Sequence, residues 1–189
     1  MRRYLLVLAA VVVALAGCTT GHDAVTKTGS TDSRYVAADG KTVVYPPAQR
    51  KDAPAVTGST VDGGSADLAS LKGSVVVMNF WAAWCPPCRL ESTDLESVYK
   101  STKDSGVAFL GVNTRDEEDS AKSFEDTRMT YPSLFDPTGR IALRFSDVPP
   151  TALPCTLIID RSGKIAVVIR NGVTVASLTP LVQQIVAET

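Results

Sequence analysis

Two cysteines separated by two prolines, Cys85-Pro86-Pro87-Cys88, follow closely on the apolar run Val75-Val76-Val77-Met78-Asn79-Phe80-Trp81. The residues after them repeat apolar side chains at helical spacing, so the pair opens a helix. A cysteine at a helix N-terminus faces unpaired backbone N–H groups and the positive end of the dipole, which favours its thiolate. The second cysteine lies one turn further on and can close a disulfide with the first. Such a pair exchanges electrons with other thiols. Cys85, at the cap and the more exposed end, is expected to attack, and Cys88 to resolve the mixed disulfide. Pro86 and Pro87 cost nothing there, because the first helical N–H groups have no intrahelical partners. Trp81 and Trp84 are expected to form an apolar collar. The competing use of the pair is half of a structural zinc site. The remaining candidate ligands are Cys155 and His22, and His22 lies in an N-terminal tail, so no metal is expected.

Positioning this pair takes a buried strand over Val75–Trp81 and a helix from Pro87 to about Lys103. Ahead of them, Ala55–Ser59 and Ala66–Leu71, split by Asp62-Gly63-Gly64, read as a hairpin. A second central strand (Val107–Val112), a charged helix (Glu117–Arg128) and a short strand (Pro132–Phe135) come next. Asp136-Pro137-Thr138-Gly139 turns into a short helix ending near Phe145. Thr156–Asp160 and Ile165–Ile169 form an antiparallel hairpin through Arg161-Ser162-Gly163, and Val175–Val186 closes the chain as a helix. Strands alternating with helices, then a terminal hairpin and helix, predict an α/β domain with a mixed sheet.

The N-terminus reads as an export leader. Arg2 and Arg3 precede an unbroken apolar stretch, Tyr4–Ala16, too short for a bilayer span of about 20 residues but suited to the core of a secretory signal. Leu15-Ala16-Gly17-Cys18 is similar to the bacterial lipobox, which implies cleavage before Cys18 and lipidation of its thiol; an ordinary signal peptide or short anchor is the alternative. From Thr19 to about Tyr45 the chain is rich in Thr, Ser, Gly, Asp and Lys, the composition of a flexible tether. With the leader removed the net charge is about −3 and no basic stripe exists, which argues against nucleic acid as a partner. Outside the cytoplasm a reduced cysteine pair needs a dedicated donor.

From about Ala53 onward the chain resembles the membrane-tethered, extracytoplasmic thioredoxins of the TlpA/ResA-like family. Three motifs carry the resemblance in order. They are Asn79-Phe80-Trp81-Ala82-Ala83-Trp84-Cys85-Pro86-Pro87-Cys88-Arg89-Leu90-Glu91, then Gly111-Val112-Asn113, then Leu153-Pro154-Cys155-Thr156-Leu157-Ile158-Ile159-Asp160. The resemblance implies a thioredoxin-like fold at 46–189, with an N-terminal hairpin and the family's inserted helix and strand within Asp116–Phe135. The leader and the composition after it leave a signal at 1–17 and a tether at 18–45. It implies a cis Pro154, which with Leu153 forms a platform for extended substrate beside Trp84, Pro86 and Pro87. No cofactor is implied beyond the Cys85–Cys88 disulfide. The expected partners are protein thiols and disulfides and a membrane electron donor or acceptor protein, the chain being monomeric and held to the extracytoplasmic face of the membrane by lipid.

Two departures stand out. Asn79 occupies the place of the buried aspartate of ordinary thioredoxin, and the resemblance places a compensating carboxylate at Asp116, which would take the proton of Cys88. Alternatively Asp116 starts the acidic first turn of the following helix. Cys155 stands where the family usually has a hydroxyl residue, either as a small apolar filler or in a redox role. The expected activity is thiol–disulfide exchange, as a reductase of the kind serving cytochrome c maturation or as a disulfide-forming oxidase. A thiol peroxidase is the rival enzyme, but no cysteine of the domain has the threonine three residues earlier that its pattern needs. A metallochaperone is the rival binding module, disfavoured by a domain without histidine.

Overall fold

Val75–Trp81 is a valine-rich run whose seven residues are all buried, as a strand covered on both faces must be. The computed structural model describes residues 35–36, 41–146, 150 and 152–188. In chain order the elements are β1 (Tyr35–Val36), β2 (Thr42–Val44), β3 (Thr57–Ser59), β4 (Ser65–Asp67), β5 (Val75–Trp81) and α1 (Pro86–Thr102). They continue with β6 (Val107–Thr114), α2 (Glu118–Arg128), β7 (Ser133–Asp136), α3 (Arg140–Arg144), β8 (Cys155–Ile159), β9 (Ile165–Ile169) and α4 (Val175–Val186). The main sheet runs β1-β2-β9-β8-β5-β6-β7, with β5, β6 and β7 parallel and the other neighbours antiparallel. β3 and β4 form the separate N-terminal hairpin.

Alternation along β5 builds two cores. Val75, Val77 and Trp81 face Leu95 and Val98 of α1, Phe124 of α2 and Leu178, Val182 and Ile185 of α4. Val76, Met78 and Phe80 face the opposite way, toward Leu110, Leu157, Ala142 of α3 and Phe145. The α/β domain, the mixed sheet and the inserted helix and strand (α2 and β7) are as the sequence predicts.

Several boundaries differ. Tyr35–Val36 and Thr42–Val44 lie inside the segment read as a tether, yet they pair with each other, and Thr42–Val44 also pairs with Ile169, Val168 and Val167 of β9. Val43 and Val44 supply β-branched residues to an edge that would otherwise stay open. The hairpin is shorter than predicted, because Asp67 caps a 3-10 turn at Leu68–Leu71 by accepting from the Ala69 N–H at 2.9 Å. β6 runs on to Thr114, through its parallel pairing with β5 and β7. The leader, Cys18 and most of the tether lie outside the described residues.

Candidate active site

Three connections meet at one end of the sheet: the loop leaving β5, the turn leaving β6 and the approach to β8. The register places them together, since Trp81 pairs with Asn113, and Phe80 with Cys155. The loop leaving β5 carries Cys85, the N-cap of α1, with Pro86 and Pro87 as the first helical residues. Cys85 and Cys88 are joined as a disulfide with their Cα atoms 5.3 Å apart. Cys85 Sγ accepts from the Cys88 N–H at 3.2 Å, so a negative charge on this sulfur meets a helix-terminal donor. Exposure does not separate the two cysteines as expected, since both are 2% exposed. Position does, with Cys85 at the cap and Cys88 inside the first turn.

The collar is made by one tryptophan. Trp84 is 59% exposed, and its Nε1 donates to the Arg115 carbonyl at 2.8 Å. Trp81 is buried, in phase with Val75 and Val77, and stacks on Phe124 at 5.2 Å. Its Nε1 donates to Ser133 Oγ at 3.2 Å. Gly111 makes room for that bond: a Cβ there would lie 2.1 Å from Ser133 Oγ and 3.0 Å from Trp81 Nε1. On the other flank the Leu153–Pro154 peptide is cis, with Leu153 half-buried and Pro154 buried. Pro86 and Pro87 are exposed beside Trp84.

Asp116 is buried, and donors converge on its carboxylate. Oδ2 accepts from the Ala83 N–H and from Asn113 Nδ2, and Oδ1 from the Glu117 N–H. The N-cap of α2 is Glu117, and the acids in its first turn are Glu118 and Asp119, so Asp116 does not serve as the helix start. It ties the β6–α2 turn to the loop two residues before Cys85. Arg115, at φ +54, is turned so that its carbonyl meets Trp84.

The carboxylate that the sequence reading passed over is Glu91. It lies three residues after Cys88 on the buried stripe of α1 and is 3% exposed, while its neighbour Leu90 is 80% exposed. Residues three apart on a helix are side-chain neighbours, so Glu91 shares a face with Cys88. Its Oε1 accepts from Asn79 Nδ2 at 2.9 Å and its Oε2 from the Val173 N–H at 2.9 Å. Asn79 Nδ2 also donates to Thr156 Oγ1 at 3.0 Å. Burial pushes the Glu91 carboxyl up to about 7, against the Val173 and Asn79 donors that favour its charge, with Asp94 adding repulsion. The available signal was a charge falling in phase with Cys88, Leu95 and Val98.

Cys155 is free and fully buried. Burial pushes its thiol up to about 11 against the pull of Arg170, with Glu91 raising it further, which fits an apolar filler. Among the described residues no three His, Cys, Asp or Glu side chains gather as a metal site.

Residues 50–168 match the AhpC/TSA family. The thiol-disulfide oxidoreductase ResA of Bacillus subtilis (strain 168) is 33% identical over 124 residues, 65% of this chain and 68% of that protein. A secreted thiol-disulfide isomerase from Corynebacterium glutamicum superposes with a TM-score of 0.74 at 30% identity, covering 82% of this chain and 98% of that one. A DsbF homologue from Corynebacterium diphtheriae gives 0.73 at 30% identity over 79% and 96%. A helix-capping Cys-Pro-Pro-Cys disulfide beside a cis-proline, on the sheet these proteins share, leads to one conclusion. The chain belongs to the AhpC/TSA family, as a ResA-like thiol–disulfide oxidoreductase of thioredoxin-like fold.

Proposed function

We propose that the protein is a monomeric reductase of protein disulfides, tethered through Cys18 to the extracytoplasmic face of the membrane and acting in cytochrome c maturation. The observation that supports the reductase chemistry is the buried Glu91, on the same face of α1 as Cys88 and one turn beyond it. The Cys85 thiolate attacks a substrate disulfide and releases the first substrate thiolate. Glu91 takes the Cys88 proton, the Cys88 thiolate attacks Cys85 Sγ, and the second substrate thiolate leaves. Two electrons pass to the substrate, and a membrane thiol donor restores the pair. The cis Leu153–Pro154 edge and Trp84, Pro86 and Pro87 hold the substrate chain in extended form.

Asp116 acts in this scheme by holding the loop that carries Cys85. Asp116→Asn leaves one N–H without an acceptor and is expected to cost about 2 kcal/mol in urea unfolding. It is also expected to slow exchange roughly tenfold, because the loop before Cys85 loses its anchor. Wild-type kinetics together with wild-type stability would contradict this role.

A second reading, the disulfide-forming oxidase, draws on the donor that meets Cys85 Sγ, since a stabilised thiolate makes the disulfide more oxidising. Acid quench of intact cells followed by mass-tagging of Cys85 and Cys88 separates the two. A mostly reduced pair supports the reductase. A mostly oxidised pair, with refolding of a reduced test protein, makes the chain an oxidase. The tether has its own check: Cys18→Ala is expected to shift the protein from membrane to soluble fractions or to leave its leader uncut. A cleaved, unmodified wild-type N-terminus would contradict lipidation. Among the described residues no helix is long and apolar enough to cross a membrane.

A further inference from the structure

A cavity of about 590 Å³ opens between the redox loop and α2, lined by Ala83, Trp84, Arg89, Asp116, Phe124 and Arg128 among others. It flanks the Cys85–Cys88 disulfide on the β6 side, whereas Leu153–Pro154 flanks it on the β8 side. Phe124 is 7% exposed and forms part of the wall. Trp81 stacks on this ring at 5.2 Å, with the planes 34° apart. Two guanidinium groups gather over the same ring, Arg128 at 5.0 Å and Arg89 at 5.8 Å from its centroid. Arg89 Nη1 is steadied by donating to the Ala83 carbonyl at 3.4 Å.

The ring face attracts both cations, and an anion between them would relieve their mutual repulsion; guanidinium groups match a carboxylate in shape and donors. Among the described residues neither arginine lies in an ion pair with a carboxylate. The oxygens of Asp116 are engaged by N–H donors. Asp119 also lines the cavity, but it stands in the first turn of α2 and Arg128 in the last, about 13 Å apart along the axis. The lining thus carries two guanidinium groups that meet at Phe124 and two carboxylates set apart from that ring, Asp116 at the redox loop and Asp119 at the start of α2.

We infer that Arg89 and Arg128 form a subsite for a side-chain carboxylate of the substrate polypeptide, within a few residues of its reacting cysteine. The inference rests on the thiol–disulfide reading and adds a charge preference to it. While the cysteine meets Cys85, one arm of the substrate lies along Leu153–Pro154 and the other drops its acidic side chain over Phe124.

The probes are disulfide-linked homodimers of one short cysteine peptide carrying Glu, Gln or Lys two to four residues from the cysteine. Rates of their reduction by the reduced protein are read from protein fluorescence. The Glu peptide is expected to react about tenfold faster than the Lys peptide at low ionic strength, and high salt should erase the difference. Arg128→Gln should lower that ratio about fivefold, and Arg128→Glu should invert it. Lys122→Gln removes the same charge from α2 outside the cavity, where Lys122 pairs with Asp126, and should leave the ratio unchanged. Arg128 also suits the C-terminal end of the α2 dipole, and a purely structural role would scale all three rates alike. Equal rates for the three peptides, or a ratio untouched by Arg128→Gln, would overturn the subsite. A preference confined to the small disulfide dithiodipropionate would overturn the polypeptide assignment. Failure to reduce any probe, the neutral one included, would count against the oxidoreductase reading itself.

Discussion

Cys88→Ser is expected to accumulate mixed disulfides with substrate proteins, while Cys85→Ser accumulates few and loses turnover roughly a thousandfold. The asymmetry follows from the cap. Cys85 Sγ is the sulfur that meets a helix-terminal N–H, so charge is stabilised on it and it attacks first. Cys88 sits within the first turn on the buried stripe of α1, bonded to Cys85, where its sulfur meets no such donor among the described residues and is placed to resolve. With serine at 88 the mixed disulfide has no internal thiolate to resolve it. With serine at 85 the nucleophile itself is gone, since a serine hydroxyl does not ionise in this pH range. Non-reducing gels of acid-quenched cells, followed by identification of the trapped partners, read both outcomes. Equal trapping by the two variants would reverse the assignment.

Glu91→Gln is expected to slow resolution about a hundredfold, the low end of general-base catalysis, while leaving attack by Cys85 largely intact. The pH profile distinguishes this from a packing defect. Resolution by the wild type should rise with a midpoint near pH 7, where Glu91 loses its proton; the variant should be flat there. Stability runs in the opposite direction. The folded-state pKa lies above the ordinary value of 4.5, so folding favours the protonated acid. That contribution is complete below pH 4.5 and is lost as pH rises through about 7. The loss is about 3 kcal/mol for a shift of this size. Urea unfolding of the oxidised protein at pH 5 and pH 8 should show the wild type weakening and the variant weakening less. Some slope will remain, because burial raises Glu125 to about 7 as well. A variant less sensitive to pH in stability yet slower in exchange is the expected signature. Unchanged resolution would remove Glu91 from the chemistry.

Local pattern carried much of this protein. The β-branched run over Val75–Trp81 suits a buried strand, and Pro86-Pro87 suits the first turn of a helix, where proline's missing N–H costs nothing. The hairpin of β8 and β9 and the helix α4 follow equally from apolar runs and turn residues within a few positions of each other. The redox pair was legible for the same reason: both cysteines and their cap lie within one helical turn.

What remained hidden depends on residues far apart in the chain. Glu91 looks like a surface acid beside Leu90, and its burial is decided by which face of α1 turns toward Asn79 and Val173. Asp116 has the composition of a helix start, yet its partner is the Ala83 N–H, 33 residues earlier. Arg89 and Arg128 meet only because α1 and α2 pack on the same side of the sheet around Phe124. Thr42–Val44 reads as tether until β9 offers it an open edge. By itself, then, the sequence determined the central strands, the helices and the place of the cysteine pair at the start of α1, since backbone propensity and capping act over a few residues. Tertiary structure alone decided which carboxylates lose their water and which charges meet, because desolvation and pairing depend on closure of the whole sheet.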